Sequence, residues 1–191
     1  RVARSTWIRP RRTGTPPARS ACADRLGSDM ITRIVLAVMV LLACAGRPRA
    51  QSGLSCTVAR VSDGDSIRCR DGSRVRLIGI DAPELDQAPF GQLARAALER
   101  RLPPGTVVAL EFDVQQRDQY GRYLAYVWHD GRLVNEEQLA DGFAATLTVP
   151  PNVRRADRFR KALASARERQ AGLWAEDGFT CPPEDHRRNR C

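Results

Sequence analysis

The chain has 191 residues and a formal net charge of +9, a length that suits one domain or two small ones. The charge is lopsided: residues 1–50 carry ten Arg against two acidic residues, whereas residues 51–191 carry 20 Arg and one Lys against 20 acidic residues. Overall basicity is therefore no argument for a polyanionic ligand, and only the local placement of arginines can supply one.

Residues 1–29 are rich in Arg, Pro and Ser, lack apolar periodicity, and read as an upstream extension or a disordered tail. From Met30, a positive residue at Arg33, the apolar run 34–45 and small residues beyond it read as a secretory signal peptide over residues 30–50, cleaved after Ala45 or Ala50. The run is short for a bilayer span. Leu41-Leu42-Ala43-Cys44 also resembles a bacterial lipobox, an alternative that would tether the protein through Cys44. The expected location is secreted or periplasmic, with the anchored form as the alternative.

Four of the six cysteines lie downstream, Cys56, Cys69, Cys181 and Cys191, an even number that fits an oxidising compartment. Local geometry favours Cys56–Cys69 across the first two strands and Cys181–Cys191 as a clip on a tail, residues 176–191. A metal site built from Cys181, His186 and Cys191 is the weaker alternative, having three ligands and no CxxC spacing.

Residues 54–61 alternate apolar and polar and predict the first strand. Strands at 66–70 and 74–80 form a hairpin turning at Asp71-Gly72-Ser73. This hairpin joins Asp63-Gly64-Asp65 to Asp81-Ala82-Pro83-Glu84 and folds the two acidic segments together. Asp65 and Asp81 then meet at one rim of the sheet, where crowded hard oxygen ligands suit Ca²⁺ better than a metal that prefers nitrogen or sulfur. Arg76 belongs to the same neighbourhood, Glu84 supplies a free carboxylate, and Asp63 reads as turn chemistry.

Further along, an apolar stripe predicts a helix over 90–102, stopped by Pro103-Pro104-Gly105. Strands follow at 106–114 and 122–128, then a short helix at 134–140 and a last helix over 152–170 with Asn152 as its cap. The arginines of that last helix read as a solvated face. Five short strands with three helices predict an α+β, mainly β fold, a small closed barrel with the helices packed on it.

With Tyr120-Gly121-Arg122-Tyr123-Leu124-Ala125-Tyr126 the chain presents a third motif in order after Asp63-Gly64-Asp65-Ser66 and the segment from Arg76 to Glu84. Together they resemble the staphylococcal nuclease (thermonuclease) family over residues 55–174. The resemblance implies a five-stranded OB-fold barrel with three packed helices in a domain of residues 51–175. It implies Ca²⁺ held by Asp65, Asp81 and the carbonyl of Ala82, Glu84 as general base, and Arg76 and Arg122 on the scissile phosphate. The expected activity is hydrolysis of single-stranded DNA and RNA by a monomer. A catalytically weak nucleic-acid-binding module of the cell envelope is the alternative. Thr146-Leu147-Thr148-Val149 stands where the family stacks a base on tyrosines, which implies weaker nucleotide affinity.

Overall fold

The computed structural model describes residues 54–191. The upstream extension, the signal peptide and Cys44 lie outside the described residues.

Strands β1 (Leu54–Val61), β2 (Ser66–Cys69) and β3 (Arg74–Leu77) form an antiparallel meander. A three-residue strand, β4 (Gly79–Asp81), and helix α1 (Phe90–Arg101) follow. Next, β5 (Val107–Arg117) pairs with β1, and β6 (Tyr123–His129) pairs with β5. The ring closes where β6 lies parallel to β3, Val75 opposite Tyr123, Arg76 opposite Leu124 and Leu77 opposite Ala125. The result is a closed five-stranded barrel of OB-fold type with helices packed against it.

Alternation puts Val58, Val61, Ile67, Val75, Leu77, Leu110, Ala125 and Val127 into a continuous buried core. Beyond the barrel lie β7 (Arg132–Leu133), α2 (Val134–Ala140), β8 (Ala145–Leu147) and α3 (Ala156–Glu168). A 3₁₀ turn (Gly172–Trp174) then leads to a short α4 (Pro183–Arg187). Both expected disulfides are present, Cys56–Cys69 and Cys181–Cys191. Their cysteines are spent on each other and His186 pairs with Asp86, so the metal reading of that trio is set aside.

Two expectations are corrected. The strand expected over 74–80 is two strands, because Gly79 adopts a φ of +81° and turns the chain away from β3 toward β8. Asn152 does not cap the last helix: its side chain binds the backbone of Gln115 at both ends, 2.8 Å and 2.9 Å, and the helix starts at Ala156. The arginines near α3 form the solvated face expected, and on it Arg154 and Arg155 pair with Glu111 and Arg158 with Glu136.

Two buried amides on α2 fix the parts of the barrel that carry the site. Asn135 accepts the Val127 N–H (2.8 Å) and donates to the carbonyls of Ile78 (2.9 Å) and Ala125 (3.3 Å), just where β3 gives way to β4. Gln138 donates to the carbonyl of Gly64 at 2.9 Å. That bond holds the loop of Asp63, Gly64 and Asp65 against the helix layer. Gly64 has no room for a side chain: a Cβ there would lie 2.5 Å from the Cβ of Ala82.

Candidate active site

The loop after β1, the β3–β4 corner and the turn before β6 surround one cleft of about 500 Å³, whose walls include Asp65, Arg76, Ala82, Glu84 and Arg122. Asp63 Oδ1 accepts the Asp65 N–H at 3.0 Å, a local turn that aims the Asp65 carboxylate inward. Asp65 and Asp81 are both buried. Their carboxylates approach so closely that a single nitrogen of Arg76 reaches both, 3.0 Å to Asp65 Oδ2 and 3.1 Å to Asp81 Oδ1. The other terminal nitrogen of Arg76 donates to the carbonyls of Leu77 (2.7 Å) and Ile80 (2.9 Å). Arg76 is thereby pinned across the corner between β3 and β4.

Asp65 also accepts the Ala82 N–H at 2.8 Å and the Ser66 hydroxyl at 3.2 Å. Burial pushes its carboxyl up to about 7 against the pull of Arg76, and the charges of Asp63 and Asp81 push the same way. Two buried carboxylates this close together, with hard oxygen donors, are of the chemistry that a divalent cation takes. Among the described residues no three His, Cys, Asp or Glu side chains cluster as a metal site, so of the residues expected to hold Ca²⁺ the side-chain donors are this one carboxylate pair.

Arg122 is oriented by Asp118. Its Nε contacts Asp118 Oδ2 at 2.7 Å, and its backbone N–H reaches Oδ1 at 2.9 Å. Burial works to raise the Asp118 carboxyl, but the hydrogen bonds from Arg122 outweigh it and hold the group below its ordinary 3.8. Among the described residues, the terminal Nη atoms of Arg122 make no hydrogen bond, so they remain available to a ligand in the cleft. Leu147, Val149 and Pro150 line the cleft as well, and they give an apolar wall rather than an aromatic one.

Glu84 faces the cleft but is not the free carboxylate expected from sequence. Arg187, from α4, contacts Glu84 Oε1 at 2.7 Å. The same guanidinium takes both oxygens of Asp81, at 3.0 Å and 2.8 Å. Hydrogen bonds to Asp81 first, and then to Glu84, raise the pKa of Arg187 despite the cost of its partial burial. Two further contacts dock the tail on the loop after Glu84: Gln87 to the Cys181 carbonyl at 3.0 Å, and His186 to Asp86 at 3.0 Å.

Arg187, Asp118 and Gln138 are site residues that sequence reasoning did not find. Pro182-Pro183 ahead of an acidic then basic run signals a short helix, but no local pattern says where that helix docks.

A closed OB-type barrel carrying a carboxylate pair, arginines and a glutamate on one cleft defines the class of small barrel phosphodiesterases. The model of the family described as "Staphylococcal nuclease homologue" matches residues 74–176. The thermonuclease of Staphylococcus hyicus is 35% identical over 126 residues, covering 62% of this chain and 74% of that protein. The thermonuclease of Staphylococcus intermedius is 36% identical over 130 residues, covering 64% and 77%. The endonuclease YncB of Bacillus subtilis is 32% identical over 148 residues, covering 71% and 70%. The chain belongs to the staphylococcal nuclease family, and it is a nuclease.

Proposed function

We propose that the protein is an exported, Ca²⁺-dependent, sugar-nonspecific endonuclease acting on single-stranded DNA and RNA. The observation that carries the reading is the meeting of Asp65, Arg76, Glu84 and Arg122 at a single cleft, with Asp81 joined to them through Arg76. Asp65, Asp81 and the Ala82 carbonyl would hold the ion, which supplies Lewis-acid polarisation of a phosphoryl oxygen.

The remaining work belongs to the chain. Arg122, held from behind by Asp118, points free donors at a phosphate and offsets the charge that grows as the phosphorus becomes five-coordinate. Arg76 adds positive charge from the opposite wall. Glu84 accepts a proton from the attacking water, and the 5′ oxygen of the next nucleotide leaves in line. For Glu84 to act as base, Arg187 must first let go of it. Contacts of this kind address the backbone and ignore base identity.

Digestion of heat-denatured DNA and of RNA with Ca²⁺, stopped by chelator, is the expected behaviour. Glu84→Gln or Arg122→Ala should lower the rate by about 10²–10³; undiminished hydrolysis in Glu84→Gln would remove the base assignment. One observation favours a second reading, a binding module without turnover: Arg187 already occupies Asp81 and Glu84. Tight oligonucleotide binding with no hydrolysis under several divalent ions would establish that instead.

The two disulfides support export. No helix among the described residues is long and apolar enough to cross a membrane. Mass spectrometry of the mature N-terminus decides between cleavage after Ala45 or Ala50 and a lipid on Cys44.

A further inference from the structure

Several arginines beside α3 are paired with carboxylates, whereas a row of three on the barrel wall is not. Near α3, Arg154 and Arg155 are neutralised by Glu111, Arg158 by Glu136 and Arg160 by Asp157. On the wall, Arg60 of β1 stands opposite Arg68 of β2, which stands opposite Arg74 of β3. Among the described residues none of these three forms an ion pair, and Arg68 Nε has no hydrogen-bond partner at all. The adjacent row in the same registers, Val61, Ile67 and Val75, is buried in the barrel. Alternation therefore turns the arginine row outward.

Three like charges placed directly opposite one another weaken a sheet, and among the described residues no carboxylate offsets this row, so the row gains nothing structural from its placement. Its position supplies a use. Arg74 donates to the backbone carbonyl of Tyr120, which lines the cleft. Arg76, two residues along the same face of β3, is the arginine that bridges Asp65 and Asp81. The row thus starts at the rim of the cleft and runs away from it across three strands.

We propose that Arg60, Arg68 and Arg74 form a track for the phosphate backbone of single-stranded nucleic acid, feeding the strand into the cleft. The idea rests on reading that cleft as the site of hydrolysis. With strands about 4.8 Å apart the row spans roughly 10 Å, room for about two or three phosphates at single-strand spacing. Contacts to phosphate carry no sequence information, so the track lengthens the footprint without making the enzyme choosy.

The test is anisotropy binding of a labelled trinucleotide and a labelled 15-mer of single-stranded DNA, with chelator present, to the wild-type protein and to Arg60→Gln/Arg68→Gln. The double variant should bind the 15-mer about tenfold more weakly, with the slope of log affinity on log salt reduced by about 1.4 for two lost contacts. Trinucleotide binding should be unchanged and the melting temperature should not fall, since the variant relieves like-charge repulsion in the sheet, and Arg60→Lys/Arg68→Lys should restore the slope. Equal binding of the 15-mer by wild type and double variant overturns the proposal. So does equal weakening at both lengths. Nuclease assays separate the two readings: row-dependent binding without hydrolysis keeps the track and removes the reaction, whereas hydrolysis with row-independent binding does the reverse.

Discussion

Arg187 makes three charge-assisted hydrogen bonds to two carboxylates, one of which the proposed function assigns to the ion and the other to proton transfer. A guanidinium and a divalent cation cannot both own Asp81 fully, so removing the side chain should tighten ion binding. Each such bond contributes about 1.5–3 kcal/mol before desolvation is set against it, so a net gain of about tenfold in Ca²⁺ affinity is expected for Arg187→Ala. Isothermal titration of the chelator-stripped variant measures it; unchanged or weaker binding would assign Arg187 to substrate rather than to the ion site. Asp118 gives a pH prediction at the same scale. Its carboxyl titrates below its ordinary value in the folded protein. The stability it contributes is therefore complete above about pH 4 and is lost as pH falls through the lowered value. Melting curves of wild type and Asp118→Asn should differ at pH 7 and converge only as the pH falls below the lowered pKa of this carboxyl.

Elements decide whether these residues keep their geometry. Gly91, in the first turn of α1, packs against the Glu84 backbone, and a Cβ there would collide with the Glu84 carbonyl. Gly91→Ala should push the Glu84 loop outward and reduce turnover by about 10²-fold through misplacement alone. A kcat loss with little change in oligonucleotide binding is the readout. Elements were also what the sequence conveyed best. The strand Leu54–Val61 is seen as expected, since alternation as far as Val58 and the Asp-Gly stop leave one reading, although a bulge between Val58 and Arg60 breaks the alternation before Val61. The helix at Phe90–Arg101 follows from its stripe and the prolines after it. What alternation cannot report is a change of sheet partner. The 74–80 segment looks like one strand until Gly79 turns it, and β8 is too short to carry a pattern. Asn152 had every mark of a helix cap because its choice of Gln115 depends on a strand 37 residues away.

For the whole molecule, topology does the assembling. Asp65 and Asp81 could be placed together from sequence because a hairpin joins them. Arg122 joins them only through the parallel closure of β3 on β6, which motif spacing implied by resemblance and not by local physics. Arg187 lies 106 residues from Asp81 and was out of reach of either argument. The bridge between Cys56 and Cys69, 13 residues apart, constrains the unfolded chain around the hairpin root. Replacing both with serine should cost about 3 kcal/mol by the loop-entropy relation, checked by urea unfolding of the oxidised wild type against the variant. A much smaller loss would mean that the barrel core alone fixes β1 against β2.

Arg187 has one more implication, for life in surroundings poor in calcium. Carboxylates packed this tightly ordinarily force apart once their ion is stripped away. Here the polypeptide brings its own substitute cation, on a tail loop closed by the Cys181–Cys191 bridge and docked through Gln87 and Asp86. Chelation should then silence the molecule without unravelling it, and returning the ion should wake it with no refolding step.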